Sequence, residues 1–107
     1  MIPSPPAEVA SSMGGLCAAL ARLPAPPTTG TRLLLVRHGE AVANAQGRLC
    51  GGGSDTELTT RGRAQIEAMA AELRGVPWLR SLRLVASSTL RRAVESADAI
   101  GGRFPNV

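Results

Sequence analysis

The sequence has no lysine and no tyrosine, and it contains only one tryptophan, one phenylalanine, two cysteines and one histidine. Cys17 and Cys50 are too few for a disulfide scaffold, and with a single histidine they do not favour a structural zinc site. No apolar run approaches the ~20 residues that a membrane-spanning helix needs. We therefore expect a cytoplasmic chain that uses no metal, no cofactor and no membrane.

The basic charge of the chain is carried by arginine alone. The net charge is +4, and the 12 arginines are spread from Arg22 to Arg103. A basic chain can bind nucleic acid, in which case its affinity depends steeply on salt. Scattered arginines without interleaved aromatic residues do not favour this alternative, and we expect no nucleic-acid partner.

The first 30 residues differ in composition from the rest, because they hold six of the eight prolines. Proline-rich chain lacks backbone donors and favours extended conformations, so residues 1–30 are predicted to form a flexible leader. Leucines 16, 20 and 23 have helical spacing and predict one or two amphipathic turns within it. No basic residue precedes Arg22, which does not fit a signal peptide. Residues 31–107 then form the domain, with a core of leucine, valine, isoleucine and alanine.

Two short apolar runs predict strands, and each is followed by a helical pattern. Residues 33–36 and 82–86 are the expected strands, which should be buried on both faces of a parallel sheet. The first helix is expected to begin after Thr59 or Thr60 and to end at Gly75. The second is expected to be capped by residues 87–89. The order strand, helix, strand, helix predicts a βαβ crossover.

Each predicted strand ends in residues suited to phosphate chemistry. Arg37, His38 and Gly39 follow the first strand, and residues 87–92 follow the second. The carboxyl ends of parallel strands meet at one edge of the sheet, so these segments should face one crevice. Guanidinium groups and helix N-termini bind phosphate, and a neutral imidazole is a competent nucleophile. The pattern predicts a phosphate pocket that contains a nucleophile.

Each of these residues has a plainer interpretation when taken alone. A single histidine at a strand end is more often a polar cap than a catalytic group. Arg92 alone would usually be a solvated helix residue, and Asn44 alone a turn residue. Their order and combined spacing are what favour a site.

The motifs together resemble those of the histidine phosphatase superfamily, in the branch that contains the cofactor-dependent phosphoglycerate mutases. Residues 33–45, LLLVRHGEAVANA, resemble the first signature of that family, and residues 87–93, SSTLRRA, resemble the second. The stretch between them continues the loop-and-helix pattern. The resemblance covers residues 33–100, although Ala41, Glu57 and Thr89 depart from the usual residues.

The resemblance implies a role for each matching residue. His38 would be the nucleophile that is transiently phosphorylated, Arg37 and Arg92 would clamp the phosphoryl oxygens, and Asn44 would donate a further hydrogen bond. The other residues implied in substrate or phosphate binding are Arg48, Gly51 and Ser88. A phosphorylated small molecule is the expected substrate, and no metal is implied.

The resemblance also implies groups that this chain lacks. The family uses a second histidine and a proton-donating acid beyond the second signature, whereas His38 is the only histidine here. We therefore expect a partial domain: the amino-terminal portion of a three-layer αβα fold with a parallel sheet, truncated after a βαβα core. Self-association through exposed sheet edges is a further expectation.

Three functions follow from these observations. The leading hypothesis is a phosphomonoester phosphatase that transfers a phosphoryl group to His38 and then to water, from a chain that is by itself incomplete for turnover. The first alternative is a phosphomutase of the phosphoglycerate mutase type. The second is a non-catalytic remnant that binds phosphate or a partner.

Overall fold

A computed structural model describes residues 18–47 and 55–107 of the chain. In chain order these ranges form α1 (Val42–Ala45), α2 (Thr60–Arg74), a 3₁₀ helix (Pro77–Ser81) and α3 (Arg91–Gly101). Residues 18–21 add a helical turn. In these same ranges no helix has the length and apolar character that crossing a membrane requires.

Helix α2 begins and ends where its sequence predicts. The side chain of Thr59 accepts a hydrogen bond from the Gly62 N–H at 2.9 Å, which satisfies one of the donors that a helix N-terminus leaves without a partner. At the other end Gly75 is the C-cap, and its N–H donates to the Glu72 carbonyl at 3.0 Å. Pro77 follows at the start of the 3₁₀ helix. The predicted helix is confirmed.

The apolar stripe of α2 packs into the main core of the described residues. We call this cluster the apolar core; its members are Ile66, Ala70, Leu73, Val76, Leu79, Ile100 and Phe104. Ile66 and Val76 are the largest side chains that are fully buried. The aromatic ring of Phe104 also belongs to it, so the expectation of a purely aliphatic core is wrong. The ring contributes because the turn after α3 folds back on the helix pair.

Helix α3 is capped from a distant part of the chain and not by the residues that precede it. Its N-cap, Leu90, offers no side-chain acceptor, and the Arg91 N–H donates instead to Asp55 Oδ1 at 2.7 Å. Ser88 Oγ accepts only from the Leu90 N–H, at 3.4 Å, outside the helix. The expected cap from residues 87–89 is therefore wrong, because a carboxylate from another segment occupies that position.

The two predicted strands are not paired in the structure. Within residues 18–47 and 55–107 the β-type pairing is a single antiparallel bridge between Ala41 and Leu58. Leu34 and Val85 pack against the apolar core, whereas Leu35 is 91% exposed and Leu84 is 76% exposed. Burial on both faces was expected, but a two-sided strand needs a covering layer on each side. Only one side of each segment is covered here, so this expectation is corrected.

Part of the predicted leader contacts the domain. The Trp78 Nε1–H donates to the Leu20 carbonyl at 2.8 Å, and the Arg32 guanidinium lies 4.6 Å from the centre of the Trp78 ring. Arg32 also donates to the Pro24 carbonyl at 2.7 Å. Leu20 and Arg32 therefore contact the 3₁₀ helix through Trp78.

Candidate active site

A cavity of about 380 Å³ lies where the Arg37-His38-Gly39 segment meets α1 and the first half of α2. It combines cationic, anionic, polar and apolar groups. Its lining residues are Arg37, His38, Gly39, Glu40, Asn44, Gln65, Ile66 and Met69. The cavity is open to solvent, and its polar groups make it a candidate ligand site.

The imidazole of His38 is oriented by its own neighbour. His38 Nδ1 lies 2.7 Å from the carbonyl oxygen of Gly39. A carbonyl oxygen can only accept a hydrogen bond, so in the neutral ring Nδ1 carries the proton and Nε2 keeps its lone pair. The half-buried ring therefore has one nitrogen committed to the backbone and the other available as a nucleophile.

The backbone of Gly39, which follows His38, packs against α2 so closely that no side chain fits between them. A methyl group on Gly39 would overlap the Gly62 carbonyl oxygen and would lie 3.0 Å from Ile66 Cγ1. A methyl group on Gly62 would overlap the backbone of Glu40. Two glycines are thus required here by close approach of two backbones.

Hydrogen bonds hold the same two segments together. The Glu40 N–H donates to Gln65 Oε1 at 2.9 Å, and the Glu40 carbonyl accepts from the Thr59 N–H at 2.9 Å. The Thr59 hydroxyl donates to Glu40 Oε1 at 2.9 Å while its oxygen caps α2. Thr59 therefore serves the helix and the cavity wall together.

Helix α1 positions Asn44 at the edge of the cavity. Asn44 Oδ1 accepts from the Ala41 N–H at 2.9 Å, and Thr56 Oγ1 accepts from the Ala43 N–H at 3.1 Å. The side-chain oxygen of Asn44 is thus directed at the backbone of its own helix. The role of Asn44 as a donor to the phosphoryl group stays a prediction from the resemblance.

Helix α3 contacts the site through Ser96. The Ser96 hydroxyl accepts from the Gly39 N–H at 3.2 Å and donates to the Arg92 carbonyl at 2.7 Å. The side chains of Ser96 and Arg92 are both buried, each with 5% exposure. The first turn of α3 therefore lies beside the backbone that follows His38. We call Gly39, Glu40, Thr59, Gly62, Gln65 and Ser96 the polar junction.

The comparison with known proteins agrees with this geometry. The sequence model of the histidine phosphatase superfamily (branch 1) matches residues 33–106. The chain belongs to the histidine phosphatase superfamily. This confirms the resemblance inferred from the two signatures, and the family implies an α/β fold and enzymes that are phosphatases or phosphomutases.

Three curated relatives come from the same phosphatase and mutase groups. A 6-phosphofructo-2-kinase/fructose-2,6-bisphosphatase from Gallus gallus is 38% identical over 68% of this chain and 14% of its own length. A glucosyl-3-phosphoglycerate phosphatase from Mycolicibacterium vanbaalenii is 42% identical over 67% of this chain and 30% of its own. A 2,3-bisphosphoglycerate-dependent phosphoglycerate mutase from Thermoplasma acidophilum is 35% identical over 66% of this chain and 34% of its own.

The chain therefore spans about a third or less of the length of these histidine phosphatase relatives. No solved structure matches it significantly. Among the residues that the structure describes, no group of three histidine, cysteine, aspartate or glutamate side chains could hold a metal ion.

The structure brings some of the predicted site residues together and not others. Arg37, His38 and Asn44 line one cavity. Arg92 and Ser88 do not line it: Arg92 is buried in the first turn of α3, and Ser88 is exposed. Arg48 and Gly51, which the resemblance places on the substrate side, lie outside the described residues.

Five residues around the site were not singled out as site residues from the sequence. Four of them line the cavity and the fifth holds its backbone; they are Glu40, Gln65, Ile66, Met69 and Ser96. Gln65, Ile66 and Met69 share the face of α2 that points to Gly39, so helical spacing from Gly62 is the signal that could have located them. Ser96 follows Arg92 by four residues, which is one helical turn.

Proposed function

We propose that this chain carries the nucleophile side of a phosphomonoester phosphatase, with a phosphorylated small molecule as substrate. The observation that carries the proposal is the hydrogen bond between His38 Nδ1 and the Gly39 carbonyl, because it commits Nδ1 and leaves Nε2 as the nucleophile inside a cavity. Membership of the histidine phosphatase superfamily supports the same reaction class.

The proposed reaction has two balanced steps. In the first, the Nε2 lone pair attacks phosphorus, an N–P bond forms, the P–O bond to the leaving group breaks, and the departing oxygen takes a proton from solvent water. In the second, a water oxygen attacks phosphorus and gives up a proton to solvent, the N–P bond breaks with its electron pair returning to Nε2, and inorganic phosphate leaves. Nδ1 keeps its proton throughout, so the phosphorylated ring stays bound to the Gly39 carbonyl.

Arginine and amide donors are proposed to stabilise the negative charge on the phosphoryl group through hydrogen bonds. Arg37 and Asn44 line the cavity with His38, whereas Arg92 is buried in the first turn of α3 and does not line it, so its role is proposed on the resemblance alone. Donors that are already in place stabilise the transition state most, because no reorganisation is needed when charge develops. Arg48, Gly51 and Ser88 are proposed as substrate contacts on the strength of the resemblance alone.

Chemical phosphorylation tests the first step directly. The chain would be incubated with phosphoramidate in the presence of EDTA, and phosphohistidine would be followed by ³¹P NMR at alkaline pH, where it is stable. We expect phosphohistidine in the unchanged chain and none in His38→Ala. We expect Arg37→Ala to slow its formation roughly 100-fold, as for loss of a transition-state donor. His38→Ala contains no histidine and is therefore only the blank. Absence of phosphohistidine in the unchanged chain is the result that would contradict the proposal.

A matched arginine separates local from general charge effects. Arg80 is exposed on the 3₁₀ helix and does not line the cavity, so Arg80→Ala removes the same charge elsewhere. We expect this variant to be phosphorylated at the rate of the unchanged chain. If both arginine variants slow the reaction equally, the cavity is not the site of reaction.

The fate of the phosphoryl group distinguishes the candidate functions. Release of inorganic phosphate from a phosphomonoester indicates a phosphatase. Transfer to an added phosphorylated hydroxy acid indicates a phosphomutase, which the similarity to the Thermoplasma mutase favours as the second candidate. Saturable phosphate binding without phosphohistidine would leave a binding role.

We also propose that residues 33–36 and 82–86 are strands of the parallel sheet in the α/β fold that the family implies. The exposed leucines 35 and 84 would then face a second covering layer. Amide hydrogen exchange in the chain tests this. Slow exchange at alternate residues of both segments is expected, and fast exchange throughout would contradict it.

A further inference from the structure

Ser96 connects the two segments that the family signatures occupy. Its hydroxyl donates its only proton to the Arg92 carbonyl, 2.7 Å away and one turn earlier in α3. A serine in a helix often bonds in this way, and the bond accounts for the proton but not for the oxygen lone pairs. One lone pair accepts from the Gly39 N–H at 3.2 Å, and both bonds are buried.

Gly39 in turn orients the nucleophile. Ser96 holds the nitrogen of Gly39, and the Gly39 carbonyl holds His38 Nδ1 at 2.7 Å. Gly39 has no side chain of its own, so its peptide planes are fixed by these bonds and by packing on Gly62 and Ile66. A change at Ser96 is therefore transmitted to the imidazole through a single residue.

We infer that Ser96 is a positioning residue for phosphoryl transfer: its hydroxyl fixes the Gly39 backbone and so sets the direction of His38 Nε2 relative to the start of α3. The inference rests on the proposed function, because it assigns no chemistry to Ser96 itself. Ser96 does not line the cavity, so it has no direct contact with substrate. Its effect should appear in the rate of attack and not in the binding of the phosphate.

Two variants of equal shape isolate the hydroxyl. Ser96→Thr keeps it, and Ser96→Val replaces it with a methyl group in the same position. Phosphohistidine formation is measured over a range of phosphoramidate concentrations, which gives a limiting rate and a half-saturation concentration for each variant. Misplacement by about 1 Å can slow a reaction on the order of 100-fold, so we expect Ser96→Val to lower the limiting rate roughly tenfold or more. Ser96→Thr should keep most of the limiting rate of the unchanged chain. The half-saturation concentration of phosphoramidate should be unchanged in both variants.

A smaller variant covers the case in which neither side chain fits. If circular dichroism shows that Thr and Val both prevent folding, Ser96→Ala is compared with the unchanged chain under the same conditions. It removes the hydroxyl without adding volume, and the expected result is the same loss of limiting rate. Each rate is divided by the concentration of folded protein, and all rates are measured at a temperature below the melting transition of every variant.

The outcomes separate this inference from the proposed function. If the unchanged chain forms phosphohistidine and Thr and Val variants react equally, or Ala reacts like serine, the positioning role is wrong and the proposed function stands. A change in half-saturation alone also overturns it, because Ser96 would then act on binding. If the unchanged chain forms no phosphohistidine, the proposed function fails and the positioning role fails with it.

Discussion

The two ends of α2 are held by different forces. Its second half packs into the apolar core, where the contacts are between aliphatic side chains and the Phe104 ring. Its first half belongs to the polar junction, where backbones touch and hydrogen bonds connect Thr59, Glu40 and Gln65. Apolar contacts are non-directional, whereas hydrogen bonds and glycine contacts tolerate little displacement. The candidate active site lies at the end where geometry is most tightly defined.

This comparison predicts that substitutions in the two regions differ in kind. A change in the apolar core away from the cavity, which excludes Ile66, should lower the free energy of unfolding and leave the phosphorylation rate of each folded molecule unchanged. A change in the polar junction should lower both. The four variants below test this difference in order of expected effect on stability.

Gly62→Ala should have the largest effect. The added methyl group would overlap the backbone of Glu40, and backbone cannot move aside as the end of a flexible side chain can. We expect a loss of more than about 3 kcal/mol, above the usual range for overpacking, or no folded protein at all. Urea unfolding measures this change in the free energy of unfolding. Gly101→Ala is the matched control, since its methyl group meets only Val107 at 4.0 Å, and it should be neutral.

Leu73→Ala should come next. Leu73 is 2% exposed in the apolar core, and removing its side chain leaves a cavity that costs about 3 kcal/mol. Leu73→Met keeps most of the volume and should cost less than about 1.5 kcal/mol. His38 phosphorylation per folded molecule should be unaffected in both. A slower rate in folded Leu73→Ala would show that the two regions are mechanically coupled.

Thr59→Ala should have an intermediate effect with a functional component. It removes the cap on the Gly62 N–H and the hydrogen bond to Glu40 Oε1, for a loss of about 1–2 kcal/mol. Thr59→Ser keeps both bonds and serves as the control. Thermal unfolding gives the change in stability, and ³¹P NMR gives the rate of phosphohistidine formation. Equal behaviour of the Ala and Ser variants would exclude a role for the hydroxyl.

Glu57→Gln should have the smallest effect. Glu57 Oε2 lies 3.2 Å from the Arg91 guanidinium, and both side chains are about half exposed. An exposed ion pair contributes less than about 0.5 kcal/mol and weakens as salt is added. Urea unfolding at low and high salt measures it. A larger loss that does not change with salt would show that Glu57 stabilises the chain by something other than this ion pair.

Local signals in the sequence were sufficient for α2 and for the nucleophile motif. Thr59, the apolar spacing and Gly75 act over a few residues, so they can be read without knowing the rest of the fold. The same reasoning was wrong for the cap of α3, because Asp55 lies 36 residues away from Arg91. Sequence reasoning also predicted burial on both faces for the segments that contain Leu35 and Leu84, which are exposed. Burial depends on which layers of the fold cover a segment, and local sequence does not determine that.

The sequence by itself determined that the chain belongs to a phosphate-handling family, where its main helix begins and ends, and which histidine is the candidate nucleophile. Only the tertiary structure decided which nitrogen of His38 carries the proton, why Gly39 and Gly62 must both be glycine, and that Ser96 reaches the backbone of Gly39. The first set depends on residues adjacent along the chain or one helical turn apart. In the second set, the bond from His38 Nδ1 to the Gly39 carbonyl joins adjacent residues but depends on the backbone conformation of the folded chain. The other contacts join atoms of residues 22 to 57 positions apart, which meet only when the chain is folded.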